Sequence, residues 1–240
     1  MVEKIDKVRE VAGQALQLFF KFEAALVPDF AEKAHLQALF LQGEGDEDLL
    51  NEVNDDKEEL AYLPWRNAEF VFQQVKGFFD SEVYANAILK GLITSSGGLT
   101  ESTLKASSHT LFEYLSVMSD GGEASVNRKR SFLGRLIGLY HSSLKDERVT
   151  VPLMKTVEML LTSEYISEPQ LGPQLHELHS LTVQECQKSK NIPKLTSACG
   201  VHAGLLQAGD AGLRKKAVKS LLHNLFHTFP KVRKVASEKL

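Results

Sequence analysis

The chain has 240 residues, of which 43% are hydrophobic and 25% are charged. That composition is typical of a globular protein that buries roughly 70–75% of its unfolded surface, and it excludes a chain that is disordered throughout. No apolar stretch approaches the roughly 18 residues of a membrane-spanning helix, and the charged N-terminus lacks the apolar core of a signal peptide. We therefore expect a soluble intracellular protein whose two cysteines, Cys186 and Cys199, are free thiols that serve packing.

The charge is divided unevenly along the chain. Residues 1–120 contain 10 Lys/Arg and 21 Asp/Glu, a net charge of −11, whereas residues 121–240 contain 18 and 10, a net charge of +8. This polarity indicates that the C-terminal half meets an acidic partner or nucleic acid. The alternative is that solvated helix faces simply differ in composition.

Helical periodicity is the dominant pattern along the chain. Apolar residues at three- and four-residue spacing predict helices over residues 5–22, 30–41, 66–79, 81–94, 100–118, 130–144, 151–161, 171–190, 193–207 and 210–226, with another that begins at Pro230. Helix-start signals support these boundaries: the expected N-caps are Asp80, Thr100, Asp146 and Asp210, and the expected first-turn prolines are Pro152, Pro193 and Pro230. Ten or eleven helices without a convincing strand predict an all-α fold.

The helix over residues 210–226 has the clearest division into two faces. Its predicted buried face carries Leu213, Ala217, Leu221, Leu222, Leu225 and Phe226, and its predicted solvent face carries Arg214, Lys215, Lys216 and Lys219. Trp65, which leads into the helix over residues 66–79, is expected to anchor packing because a single Trp is usually part of the core.

One long connection interrupts the helices. Residues 42–60 contain nine Asp or Glu and a single lysine, so we expect an acidic, solvated and mobile loop. Its Asp46-x-Asp48 fragment is similar to the start of a calcium loop, but Asn51 stands where glycine is needed and Lys57 where the bidentate glutamate is needed. No calcium site is predicted.

A short internal motif recurs at helix starts. Residues 6–12 and 230–236 share x-x-Val-Arg-x-x-Ala, residues 210–217 are a third copy with Leu213 in place of valine, and Asp146-x-Arg148-Val149 is a degenerate fourth. Stacked helix pairs produce such a signature when the apolar residue packs inward, the small alanine allows close helix approach, and Asp and Arg bridge neighbouring repeats. We predict a HEAT/armadillo-like α-solenoid of about five antiparallel helix pairs, with an irregular bundle as the alternative because the copies are unevenly spaced.

No catalytic constellation is evident in the sequence. His223 and His227 have the i, i+4 spacing of a zinc-binding pair, but Asn224 stands where the general-base glutamate of a zinc hydrolase is required. His176 and His179 are three residues apart, which does not match that motif. Neither a phosphate-binding loop nor a nucleophile elbow is present, so we expect a non-enzymatic protein without metal or cofactor.

The most basic part of the chain is its C-terminal end. The candidate partner-binding residues there are Arg214, Lys215, Lys216, Lys219, Lys231, Arg233 and Lys234. Nucleic acid is the less favoured partner, because Phe226 and Phe229 are expected on the apolar face and leave no stacking platform among the lysines. We favour an acidic protein partner.

Several segments read together resemble the C-terminal region of the tubulin-folding cofactor D family of tubulin-specific chaperones, which are long HEAT/armadillo-like solenoids. The segments that carry the resemblance occur in family order and are KIDKVRE (4–10), LPWRNAEFVF (63–72), GGLTEST (97–103), SHTLFEY (108–114), DERVTVPL (146–153) and FPKVRK (229–234). The resemblance implies a single C-terminal helical-repeat domain over residues 1–240. We expect this domain to be a piece of a longer solenoid, because its last helix stops at Leu240 without a cap.

The resemblance also implies a function. Family members capture β-tubulin and, with tubulin-folding cofactors C and E and an Arf-like small GTPase, assemble or dismantle the αβ-tubulin heterodimer, with tubulin GTP hydrolysis stimulated in the complex. A cytoplasmic, cytoskeleton-associated location follows. The alternative is a general HEAT-type interaction scaffold unrelated to tubulin, and the enzymatic rival is a zinc hydrolase.

Overall fold

The computed structural model describes residues 2, 5–21, 31–41, 63–97, 100–117, 122–163, 165–166 and 168–240. Within these residues the chain forms eleven α-helices and three short 3₁₀ turns, with no strand. The all-α prediction is therefore confirmed. The predicted acidic loop over residues 42–60 lies outside the described residues.

The chain divides into two compact units, residues 1–110 and 111–240. The helices in chain order are α1 (Asp6–Lys21), α2 (Lys33–Leu41), α3 (Ala68–Val75), α4 (Ala85–Ser96), α5 (Glu101–Ser116), α6 (Glu123–Ser142), α7 (Glu147–Thr162), α8 (Gly172–Cys186), α9 (Ile192–Gly204), α10 (Ala211–Leu225) and α11 (Pro230–Glu238). That all of them belong to a single domain stays a prediction.

The first unit has an aromatic core around Trp65. The Trp65 side chain is 2% exposed, its ring lies 4.9 Å from that of Phe40, and its Nε1 donates a 2.8 Å hydrogen bond to Gln17 Oε1 on α1. Burial of so large a side chain with its polar atom paired is a strong stabilising contribution. The prediction that Trp65 anchors packing is confirmed.

The second unit is built from helices that contact their next-but-one neighbours. α6 packs against α8 and α8 against α10, while α7 packs against α9 and α9 against α11. Contacts of α8 with α9, α9 with α10, and α10 with α11 join these two rows. Such i, i+2 packing is the arrangement of helix pairs stacked in an α-solenoid, because each pair can bury its apolar face only against the pair before or after it.

The helix starts agree with most of the predicted caps. Side-chain oxygens of Thr100, Asp146 and Asp210 accept from the backbone N–H groups of Thr103, Arg148 and Leu213, as expected of N-caps. The predicted cap Asp80 is wrong: Ser81 Oγ accepts from the N–H groups of Val83 and Tyr84, and α4 begins only at Ala85. Asn67 and Asn191 are caps that the sequence analysis missed.

The prolines follow the expectation in two of three positions. Pro193 and Pro230 lie in the first turn of α9 and α11, where the missing N–H has no intrahelical partner to lose. Pro152 lies inside α7, because Asp146 caps this helix five residues earlier than the predicted start at residue 151.

The recurring motif plays different roles in its copies. In α10 and α11 the apolar residue and the alanine are fully buried, at Leu213, Ala217, Val232 and Ala236, as predicted. In α1 the pattern is reversed, since Val8 is exposed while the side chain of Arg9 is buried.

Arg9 is held inside the first unit by several partners. Its guanidinium forms an ion pair with Asp6, donates a 2.7 Å hydrogen bond to the carbonyl oxygen of Arg66, and lies 5.6 Å from the ring centre of Phe72. Asp6 and Arg9 belong to the same helix turn, so this pair does not join neighbouring repeats, contrary to the prediction.

Candidate partner-binding surface

α10 carries most of the predicted binding residues and is fixed in place by its own start and its buried face. Asp210 Oδ1 accepts a 2.8 Å hydrogen bond from the N–H of Leu213, and this bond is the main cause of the lowered pKa of Asp210, with His176 adding to it. Leu213, Ala217 and Leu221 are fully buried. The opposite side of α10 consequently faces solvent within the second unit.

All seven predicted basic residues are exposed, on α10 and α11. Two of them also have a structural role that the sequence did not reveal. Arg214 Nη1 donates to the carbonyl oxygens of Ala208 and Gly209 at 2.7 and 3.2 Å, and Arg233 Nη1 donates to those of His227 and Thr228 at 2.8 and 3.0 Å. Arg214 and Arg233 thus each stabilise the turn that precedes their own helix. These bonds do not bridge neighbouring repeats, contrary to the prediction.

The remaining basic residues differ in how far they are engaged. Lys216 Nζ lies 3.3 Å from His176 Nδ1, and Lys234 Nζ lies 3.7 Å from Glu238 Oε1. Lys215 and Lys219 make no ion pair within the described part of the chain. Their charge is therefore available to an incoming partner, subject to screening by salt.

The structure brings lysines and histidines together at a groove that sequence reasoning did not predict. This groove, formed by α8, α9, α10 and the adjoining turns, has a volume of about 600 Å³. Its apolar lining includes Val183, Leu195 and Ala198, and its basic residues are Lys188, Lys216 and Lys219. The described residues that line it also include His179, His202, His223 and His227, and no Asp or Glu.

Two of the lining histidines are partly or fully withdrawn from water. The rings of His179 and His202 lie 5.2 Å apart, and His179 Nε2 lies 3.1 Å from Ser220 Oγ. Burial lowers the pKa of His202 to about 3, and the pKa of His179 is lowered by burial and by the charge of Lys216. At neutral pH both rings are therefore uncharged, and neither adds to the positive charge of the lysines.

The histidine pairs noted in the sequence contact other groups of the second unit. His227 Nδ1 accepts a 3.1 Å hydrogen bond from the N–H of Phe229, and His176 Nε2 lies 3.3 Å from Asp210 Oδ2. In the residues that the structure describes, no group of three His, Cys, Asp or Glu is arranged to hold a metal ion.

Both cysteines pack as expected. Cys199 is fully buried in a core cluster with Leu195, Leu221, Val232 and Ala236, and Cys186 packs against that cluster. Burial raises the pKa of the Cys186 thiol to about 12, so it is a poor nucleophile at neutral pH.

Two apolar residues at the C-terminal end of α10, Leu222 and the C-cap residue Phe226, were wrongly predicted to be buried. Phe226 is 87% exposed and Leu222 is 46% exposed. At about 100° per residue, Leu222 and Phe226 lie about 180° and 220° around the helix from Leu213, next to Lys215 and Lys219. The three- and four-residue spacing of the sequence assigned them to the same face as Leu221 and Leu225. Those two residues lie about 80° and 120° around the helix from Leu213.

A buried charged cluster of α8 and α9 was also missed. Lys194 Nζ donates to Glu185 Oε1 at 2.6 Å and lies 3.2 Å from Glu147 Oε1, while Glu185 Oε2 accepts from the N–H of Lys145 at 2.8 Å. Burial alone would lower the pKa of Lys194, but the bonds to Glu185 and Glu147 raise it above its ordinary value. This cluster positions α9 beneath the groove.

The model of the tubulin folding cofactor D C-terminal family matches residues 1–194. The chain belongs to this family. No solved structure matches the chain. Within the described residues, no helix combines the length and apolarity needed to cross a membrane.

The family match ends at the start of α9. It includes the α8 side of the groove with Val183 and Lys188, whereas all seven predicted basic residues lie beyond it. The family therefore supports the tubulin-folding role of the chain, while partner binding by the basic residues of α10 and α11 stays a prediction.

Proposed function

We propose that this chain is the part of a tubulin-folding chaperone that holds β-tubulin. In this role it helps to assemble or dismantle the αβ-tubulin heterodimer together with tubulin-folding cofactors C and E and an Arf-like small GTPase. The proposal rests above all on membership of the tubulin folding cofactor D C-terminal family. It places the protein in the cytoplasm, in association with the cytoskeleton.

The geometry supports a binding role through the exposed basic side of α10. Lys215 and Lys219 project into solvent from a helix whose other side is fixed by Leu213, Ala217 and Leu221. Residues on a rigid helix lose little backbone entropy on binding, and a cationic surface accelerates encounter with an acidic partner. An acidic surface of tubulin is the partner surface we propose for it.

The chain acts without catalysis of its own in this proposal. GTP is hydrolysed by tubulin, and the complex of tubulin with the cofactors stimulates that hydrolysis. Stacked helix pairs suit such a role because they offer an extended surface on which several proteins can be held at once.

Retention of β-tubulin from cytosol by the immobilised full-length protein tests the proposal. Beads that carry an unrelated helical-repeat protein of similar size are the control. We expect β-tubulin on the cofactor beads only. Equal amounts on both would reduce the assignment to a helical scaffold unrelated to tubulin.

The stimulation of GTP hydrolysis is tested separately. Phosphate release is measured with tubulin, with this protein, and with tubulin, this protein and cofactors C and E together. We expect the highest rate from the complete mixture and none from this protein alone. Hydrolysis by the protein in the absence of tubulin would contradict a non-enzymatic role.

A further inference from the structure

We propose that the groove formed by α8, α9 and α10 binds an acidic peptide segment that places one apolar side chain between its lysines. The ligand is defined by its chemistry and need not belong to tubulin. All the residues that form the site lie in the second unit.

The apolar part of the groove provides the first half of the recognition. Val183 on α8 and Leu195 and Ala198 on α9 line it, and of these Val183 is exposed whereas Leu195 and Ala198 are buried. A volume of about 600 Å³ is enough for a bulky side chain and the peptide backbone on either side of it. Leu195 and Ala198 are already buried and form the floor of the groove, so Val183 is the apolar side chain that a ligand covers. Removing Val183 from water favours binding.

The lysines of the groove provide the second half of the recognition. Lys188, Lys216 and Lys219 line the same groove, and no carboxylate is among its described lining residues. The acidic groups nearby in the sequence are engaged elsewhere: Glu185 pairs with buried Lys194, and Asp210 binds the N–H of Leu213 and faces His176. Among the described residues of the second unit, none of these three lysines forms an ion pair with a carboxylate, so their charge complements a ligand that carries carboxylates.

A peptide fits these features better than nucleic acid does. The groove is lined by no Phe, Tyr or Trp among the described residues, so it lacks the large aromatic rings on which the bases of single-stranded nucleic acid stack, and two of its four histidines, His179 and His202, are buried. Phe226 is exposed, but it lies on the adjacent side of α10 and does not line the groove. A phosphate backbone would leave the apolar lining of the groove without an apolar group to contact.

Fluorescence anisotropy with the 240-residue chain tests the proposal. The probe is a fluorescein-labelled heptapeptide of glutamates around one central leucine, and the control probes have lysine in place of glutamate or glycine in place of leucine. We expect the chain to bind the glutamate–leucine probe, to bind the glycine probe more weakly, and not to bind the lysine probe.

Two matched pairs of variants locate the binding. Lys219→Glu and Lys215→Glu change the charge of α10 equally, but only Lys219 lines the groove. We expect Lys219→Glu to weaken binding about fivefold to tenfold and Lys215→Glu less than about twofold at physiological salt. Lys219→Arg keeps the charge and is expected to retain binding. Val183→Glu should abolish binding, while Val83→Glu, an equivalent change at an exposed valine of the first unit, should leave it intact.

Three results would overturn the proposal. Equal losses from Lys219→Glu and Lys215→Glu would mean that the probe responds to the general charge of α10. Full binding by a helical Val183→Glu variant would place the probe outside the groove. Tighter binding of a single-stranded oligonucleotide in competition would assign the site to nucleic acid. Because no tubulin is used, these results are independent of the tubulin-retention experiment.

Discussion

The indole ring of Trp65 lies directly against the backbone of Gly13 on α1. A Cβ atom built on Gly13 would stand 2.0 Å from Cδ2 of the ring, far inside van der Waals contact. One helical turn later, Gln17 Oε1 accepts the hydrogen bond from the indole Nε1. The absence of a side chain at Gly13 thus lets the Trp65 ring approach α1 closely enough to make that bond.

Trp65→Ala is expected to lower the free energy of unfolding of the first unit by about 3–5 kcal/mol, because it removes a large buried side chain together with the hydrogen bond from its indole to Gln17 Oε1. Urea denaturation followed by far-UV circular dichroism measures the loss. An unchanged unfolding midpoint would contradict the role of Trp65 as the anchor of this core.

Gly13→Ala is expected to destabilise the first unit by about 2 kcal/mol or more, because the clash with the ring outweighs the gain in helix propensity. Gly134→Ala in α6 is the matched control, since a Cβ there meets nothing within 4 Å. That control should gain up to about 1 kcal/mol. Trp65 is the only tryptophan, so its fluorescence reports unfolding of the first unit for Gly13→Ala, and far-UV circular dichroism measures the control, which lies in the second unit.

Lys194→Met is expected to cost about 3–5 kcal/mol, because it leaves the buried Glu185 carboxylate without its main cationic partner. The double variant Lys194→Met with Glu185→Leu should recover a large part of this loss, since no uncompensated charge remains. Chemical denaturation of the two single variants, Lys194→Met and Glu185→Leu, and of the double variant closes the double-mutant cycle. Additive losses in the double variant would mean that the pair is not coupled.

His202 makes the stability of the second unit depend on pH. Its folded-state pKa of about 3 lies below the ordinary value of 6.5, so the unfolded chain binds the extra proton. Stability is therefore complete above about pH 6.5 and falls as the pH drops towards 3, by no more than about 5 kcal/mol from this group. His202→Gln removes this proton uptake, and its unfolding free energy should fall less steeply over the same range. Parallel curves for the two proteins would mean that His202 binds its proton equally well in the folded and the unfolded chain.

Reversal of Lys215, Lys216 and Lys219 to glutamate should slow capture of tubulin by the full-length protein at low salt, because the cationic side of α10 no longer attracts an acidic partner. All three lysines are exposed, so the helix should remain folded by circular dichroism. Stopped-flow association at several salt concentrations measures the effect, which should diminish as the Debye length shortens to about 8 Å at physiological ionic strength. An unchanged association rate and salt dependence would mean that these lysines only keep the helix soluble.

The sequence by itself determined the helical fold and the outer limits of most helices. Three- and four-residue spacing locates α1 through α11, and caps such as Asp146 and Asp210 act through hydrogen bonds within one helical turn, so they can be read locally. The family resemblance of the sequence is likewise confirmed over residues 1–194. The buried position of Trp65 followed from its size and its apolar neighbours.

Only the tertiary structure decided which apolar and charged residues face a neighbour. Phe226 follows Leu225 directly in the sequence but is 87% exposed, whereas Lys194 is buried because Glu185 and Glu147 converge on it from α8 and α7. The groove has the same origin: Val183, Leu195 and Lys219 belong to three different helices. Periodicity describes one helix at a time, and a surface made by several helices depends on the rotation and spacing that packing gives them.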